Sequence, residues 1–171
     1  MGLEGKTPLC APITSMVKRI ISGGQTGADR AALDFAILHA IPHGGWCPYG
    51  RWAEDGIIGP QYQLSETPSA NPDQRTEWNA QNADATVIFS LIPLLIGGSR
   101  KTAELATLFG KPMLHLSRQI DGFEAAERFA VFLSQHQPGC LNIAGSRESE
   151  EPGIGWFVRE VLEQVWSRGG F

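Results

Sequence analysis

The chain has 171 residues, 42% of them hydrophobic and 19% charged, with a formal net charge of −4. That balance suits one globular domain, large enough to bury roughly 70% of the surface its unfolded chain exposes. It excludes disorder, and it excludes a general nucleic-acid binder, which needs many phosphate-neutralising Lys and Arg residues. No apolar run reaches the roughly 20 residues that span a bilayer, and the opening "MGLEGKTPLCAPITSM" lacks the plan of a secretory signal. The expectation is a cytoplasmic protein with no membrane or nucleic-acid partner. Residues 1–16 read as a flexible tail and 17–171 as a single domain. Cys10, Cys47 and Cys140 are too scattered for a zinc site or a disulfide framework and read as buried free thiols.

The first element is the β-rich run "VKRIIS", Val17–Ser22, which meets Gly23-Gly24. Beyond it, Leu33, Ala36, Ile37, Ala40 and Ile41 fall on one helical face, and Pro42 stops the helix. Thr26 and Asp29 approximate a capping box at its start. "GGWC", Gly44–Cys47, reads as a second strand. The segment from Pro48 to Asp73 has no period, holds four prolines and several aromatics, and reads as a functional loop with a small hairpin around Tyr62–Thr67.

Arg75-Thr76-Glu77-Trp78-Asn79 lies on a short helix that puts Arg75, Asn79 and Asn82 on one face. "DATVIFS", Asp84–Ser90, is the third strand, and Gly97-Gly98-Ser99 opens a helix ending at Gly110. "PMLHL", Pro112–Leu116, is a strand. A helix follows near Gly122–Gln135, with Phe123, Ala126, Ala130 and Leu133 inward. "CLNIAGS", Cys140–Ser146, is the last strand. A terminal helix then carries the stripe Ile154, Phe157, Val158, Val161, Leu162 and Val165.

Strands alternating with helices give an α/β sandwich with a mostly parallel sheet. In such a sheet every turn after a strand lies on one edge, where ligands collect, so the three glycine turns should converge. Helix N-termini favour anions through unpaired N–H groups and the helix dipole, and glycines let phosphate oxygens approach. Gly23, Gly24, Gln25, Thr26 and Gly27 form one candidate cradle. Gly97, Gly98, Ser99 and Thr102 form a second, with Glu104 one turn further on. Arg75 can grip a phosphate bidentately and Asn79 can read a heterocycle edge. Arg147 is a third-turn candidate, Arg30 and Arg51 are nearby cations, and Trp52 is a stacking candidate. Each has a plainer reading as turn, cap, surface pair or core. No metal-ligand spacing and no nucleophile elbow is present.

Five blocks, "SGGQTGADRAALDFA", "GGWCPYGRWAEDG", "QRTEWNAQNADATVIF", "GGSRKTAELATLFGKPMLHL" and "LNIAGSRESEEPGIG", together resemble the molybdenum carrier (molybdenum cofactor carrier-like) family. That family sits in the Rossmann-like group that includes the lysine-decarboxylase-like cytokinin phosphoribohydrolases. The resemblance covers about Val17–Trp166. It implies a three-layer Rossmann-like sandwich with about five strands and a homo-oligomer. The implied cargo is the molybdenum cofactor, molybdopterin, which bears a pterin and a phosphate. Molybdenum enzymes or cofactor-synthesis proteins are the implied partners. Cys47 could contact molybdenum arriving on the cofactor, and its plainer reading is a buried free thiol.

The hydrolase relatives use an Arg from M-x-x-R-K and a Glu from P-G-G-x-G-T-x-x-E. Arg75-Thr76 resembles the first, and Glu104 matches the Glu of the second. However, Ile96 replaces the Pro, Arg100 replaces the third Gly, and Thr102 is displaced by one position. Three readings follow. One is a non-catalytic carrier. The second is a nucleoside-monophosphate phosphoribohydrolase using Arg75 and Glu104, and the third a nucleotide-sensing module with a phosphorylated nucleotide as ligand.

Overall fold

The first strand, β1 (Arg19–Ile21), is short because Gly24 at φ 77° turns the chain out of the sheet. The computed structural model describes residues 17–171; the expected tail, with Cys10, lies outside the described residues. Helix α1 (Ala28–Leu38) buries Ala28, Ala31, Ala32, Phe35 and Ala36 along one stripe. It ends sooner than its sequence pattern suggests. Ala40 adopts φ 53°, so a left-handed turn ends the helix before Pro42 is reached, and Ile37 is left half-exposed. The capping box does not close: the N-cap is Gly27, and Thr26 Oγ1 donates to Glu54 instead.

Gly45, at φ 121°, divides the expected second strand into β2 (His43–Gly44) and β3 (Trp46–Cys47). The hairpin lies earlier than 62–67. It is built from β4 (Trp52–Ala53) and β5 (Gly56–Ile57) around Glu54-Asp55, while β6 (Ser65–Glu66) pairs in parallel with β3. Helix α2 (Pro72–Asn82) starts at Asn71, whose side chain accepts from the Asp73 N–H, with Pro72 in the first helical position. The next units are β7 (Ala85–Ser90), α3 (Gly97–Leu108) and β8 (Met113–Ser117).

A four-residue helix, α4 (Arg118–Asp121), runs into a 3-10 turn at Gly122–Glu124 and then α5 (Ala125–His136). The inward face of α5 is Ala125, Ala126, Phe129, Phe132 and Leu133. Phe123, expected inward, is 96% exposed, because Gly122 at φ 46° breaks the helix and rotates the residue outward. The chain closes with β9 (Cys140–Gly145) and α6 (Ile154–Ser167), whose six-residue stripe is buried throughout.

The central sheet is wholly parallel, in the order β2-β1-β9-β7-β8. All six residues of β7 are buried, as expected for a strand covered on both faces. Helices α1, α5 and α6 share one core with the sheet, built around Phe35, Phe89, Phe129, Phe157 and Leu133, and α2 packs against α3. A smaller cluster of Leu33, Cys47, Ala53, Ile58, Tyr62 and Leu64 fastens the 45–66 segment to α1. No helix among the described residues is long and apolar enough to cross a membrane.

Candidate functional site

From β1 the chain moves outward to β2, and from β7 outward to β8; β9 then enters between β1 and β7. The strand order therefore reverses about β9, and a crevice opens beyond the carboxyl ends there. A cleft of about 150 Å³ occupies this place. Gln25 enters it from the turn after β1, Gly98, Ser99 and Thr102 from the start of α3, and Arg75 and Thr76 from α2. Gly145 and Arg147 enter from the end of β9. One residue of the first turn, Gln25, thus lines the same cleft as Gly98 and Gly145, whereas Gly23, Gly24, Gly27 and Gly97 do not line it.

Gly23 packs under a side chain. A Cβ there would collide with the Arg75 guanidinium and the Asp29 carboxylate. Arg75 Nη1 donates to Asp29 Oδ2 at 3.1 Å, and both side chains are largely buried. Asp29 also accepts the Gln25 N–H at 3.3 Å. Burial raises the Asp29 carboxyl above its ordinary value, and the facing Arg75 charge offsets only part of that effect. Arg75 Nε is buried and has no hydrogen-bond acceptor among the described residues.

The N-cap of α3, Ile96, offers no capping side chain, so the first N–H groups of that helix face the cleft without a side-chain acceptor from the cap. A Cβ at Gly98 would meet nothing within 4 Å. Thr102 Oγ1 donates back to the Gly98 carbonyl at 2.9 Å and tightens the turn. The lining is not uniformly cationic. Asp29, Asp73 and Glu150 accompany Arg75 and Arg147, and Glu150 lies 3.8 Å from Arg147.

Other candidates from the sequence stand elsewhere. Gly27, at φ 77°, sits where a Cβ would strike the backbone of residues 146–148. Thr26 is held by Glu54 and accepts the Glu148 N–H at 3.3 Å. Arg30 binds the Gly24 carbonyl and pairs with Asp55 at 3.2 Å. Arg51 donates to the carbonyls of Ile58, Gly59, Tyr62 and Leu64, which ties one loop together. Asn79 accepts from Trp46 N at 2.8 Å and donates to Trp46 O at 2.9 Å, standing in for a strand neighbour. Gly97, at φ 51°, approaches Glu150. Glu104 pairs with Arg100 at 2.9 Å on the exposed face of α3 and does not line the cleft. Trp52 is half-exposed on the hairpin. Cys47 is buried in the smaller cluster, and burial pushes its thiol pKa up. No group of three or more His, Cys, Asp and Glu among the described residues is placed to hold a metal ion.

Sequence reasoning passed over Asp29 as a site residue. Its i, i+3 spacing from Thr26 was the signal for a cap, whereas its partner lies 46 residues away. The 52–57 hairpin shapes the site indirectly. Gln25 Oε1 accepts from Thr26 N and Glu54 N, both at 3.0 Å, and Glu54 binds the Ser149 hydroxyl. The Ser149 and Thr26 hydroxyls that donate to the Glu54 carboxylate hold it below its usual range.

Residues 20–166 match the model of the "Circularly permutated YpsA SLOG family". The topology agrees with that description. If β9 and α6 are placed ahead of β1, the sheet order becomes 3-2-1-4-5, that of a Rossmann-type sheet. A solved structure from Syntrophus aciditrophicus SB, described as a "Putative molybdenum carrier protein", shares 44% sequence identity with a TM-score of 0.85. That similarity covers 88% of this chain and 95% of the other. None of the curated proteins matches the chain.

Proposed function

The chain belongs to the circularly permutated YpsA SLOG family, and from that membership and the cleft at its strand-order reversal we propose that it is a non-catalytic carrier of the molybdenum cofactor. The observation that carries the reading is the buried, unaccepted Arg75 Nε in a cleft shared with the uncapped start of α3. An orphaned buried N–H is costly unless an acceptor arrives, and a phosphate oxygen supplies one. Gly98 leaves room for it, and Arg147 adds charge. The relative described as a molybdenum carrier supports the choice of cargo.

A cleft of about 150 Å³ is below the roughly 300 Å³ at which small-molecule pockets begin. It accommodates the phosphate end, with the pterin extending past the mouth. Molybdenum would travel on the cofactor's dithiolene as part of the cargo, without ligands from the protein. We place the protein in the cytoplasm, as a homo-oligomer that hands its cargo to molybdenum enzymes or receives it from cofactor-synthesis proteins.

Mass spectrometry and pterin fluorescence of the purified protein test the reading. A phosphorylated pterin is expected to accompany the wild type and to be lost from Arg75→Ala. Absence of any pterin, with equal decay of added cofactor in the presence and absence of protein, overturns it. The hydrolytic alternative is less favoured because Glu104 is committed to Arg100 on the exposed face of α3. Glu104→Gln is accordingly expected to leave ligand binding unchanged, and no free base should appear from a panel of nucleoside monophosphates. A phosphorylated nucleotide in place of the pterin would transfer the same site to the sensing reading.

A further inference from the structure

Two guanidiniums and three carboxylates line the cleft at the strand-order reversal. Each cation already faces an acid: Arg75 meets Asp29 at 3.1 Å, and Arg147 lies 3.8 Å from Glu150. Asp73, in the first turn of α2, is the carboxylate left over. It is exposed and takes part in no salt bridge among the described residues. Its backbone N–H, not its carboxylate, makes the bond to Asn71. The side chains of the cleft thus carry an excess of negative charge before any ligand enters.

The threonines add acceptors rather than donors. Thr76 Oγ1 donates to the Pro72 carbonyl at 3.0 Å, and Thr102 Oγ1 to the Gly98 carbonyl at 2.9 Å. A hydroxyl has one hydrogen, so each of these can offer a ligand only lone pairs. On the donor side stand the buried Arg75 Nε and the first N–H groups of α3. A ligand that satisfies the cleft therefore needs oxygens for those donors and a hydrogen for the acceptors. Sulfate and molybdate are fully ionised at neutral pH and supply only the first. Hydrogen phosphate supplies both, and its O–H can form a short, charge-assisted bond to a carboxylate.

We propose that the cleft selects an oxyanion carrying its own hydrogen, a hydrogen phosphate or the monoanion of a phosphomonoester, with Asp73 accepting that hydrogen, and turns away sulfate and molybdate. The proposal rests on the carrier reading, whose anion site it uses, and it narrows the cargo. Molybdenum enters as part of a phosphorylated organic molecule and not as its free oxyanion.

Calorimetry of the full chain with inorganic phosphate, sulfate and molybdate, at neutral pH and matched ionic strength, is the test. Phosphate is expected to bind at least roughly tenfold more tightly than the other two, the effect of one hydrogen bond to a charged group. Asp73→Asn removes the charge and supplies an amide donor in its place. Because Asp73 is exposed and unpaired, the thermal melt of this variant should stay close to that of the wild type. Its affinity for sulfate and molybdate should rise, and the preference for phosphate should be lost. Equal wild-type affinities for phosphate and sulfate, or an unchanged preference in Asp73→Asn, overturn the proposal and leave the cleft an anion site. Failure of phosphate itself to bind overturns the carrier reading along with it.

Discussion

Arg75 Nη1 and Asp29 Oδ2 meet at 3.1 Å, and a Cβ on Gly23 would occupy the space they fill. The pair links α2 to the first turn of α1 and makes the glycine corner a seat for a guanidinium. Removing the guanidinium by Arg75→Ala leaves Asp29 buried and unpaired, which costs about 3–5 kcal/mol for a broken buried pair. Urea unfolding measures that loss, and calorimetry with inorganic phosphate measures the accompanying loss of anion binding. A variant with wild-type stability would show that the pair contributes no net stabilisation.

Gly98 separates binding from folding more cleanly. It lies in the first turn of α3 without a positive φ, and a Cβ would point into open space. Gly98→Ala should therefore hold or raise stability, by up to about 1 kcal/mol from helix propensity. The same methyl group enters the anion cradle, so phosphate affinity should fall several-fold. Thermal melts and calorimetry on one preparation test both halves. Unchanged affinity would remove the start of α3 from the site.

The legible parts of this chain are those whose signals are local. The α6 stripe is uninterrupted from Ile154 to Val165 and was readable in full, and the alternation of strands and helices made the parallel sheet legible. Phe123 was misplaced because two phases compete around Gly122, and only the left-handed backbone decides between them. The end of α1 failed for a similar reason at Ala40. In the cleft, Arg75 and the Gly98–Thr102 turn were visible as residue types on a helix face and a helix start. The tasks of Arg51 and Asn79 were not visible, because they depend on backbone carbonyls and amides brought near by tertiary folding. Strand order has no local signal at all, since β9 enters the middle of the sheet from the far end of the sequence.

Two titrations, one of a buried and one of a half-buried group, should move stability in opposite directions. Asp29 has its carboxyl raised above 3.8 by burial, so the folded state holds its proton to higher pH than the unfolded chain. Its contribution to stability falls as pH rises from about 3.8 through the raised value, and is constant beyond. His115 has its imidazole depressed below 6.5 by burial, while Ser90 Oγ lies 2.7 Å from its Nε2. Its contribution is present above the unfolded value and is lost as pH falls through the depressed one. Relative to Asp29→Asn, the wild type should lose stability with rising pH. Relative to His115→Asn, it should gain. Denaturation curves across both windows test the signs, and parallel curves for either comparison would contradict the shift assigned to that residue.

Glu150 is the carboxylate that an incoming anion must contend with. It lies 3.8 Å from Arg147, accepts the Arg147 N–H at 3.3 Å, and comes near Gly97 at the start of α3. A phosphate entering the cleft therefore competes with a negative charge that the protein already supplies. Both members of the pair are about one-third exposed, and exposed pairs of this kind contribute about 0–1 kcal/mol. Glu150→Gln keeps an acceptor oxygen while removing the charge, so folding should change little. Affinity for inorganic phosphate should rise by up to about fivefold, the equivalent of 1 kcal/mol. The gain should shrink at high salt, because the repulsion it removes is partly screened. A decrease in affinity would mean that Glu150 holds Arg147 in its binding position instead of competing with the ligand, and the double variant with Arg147→Ala would then add nothing to the loss.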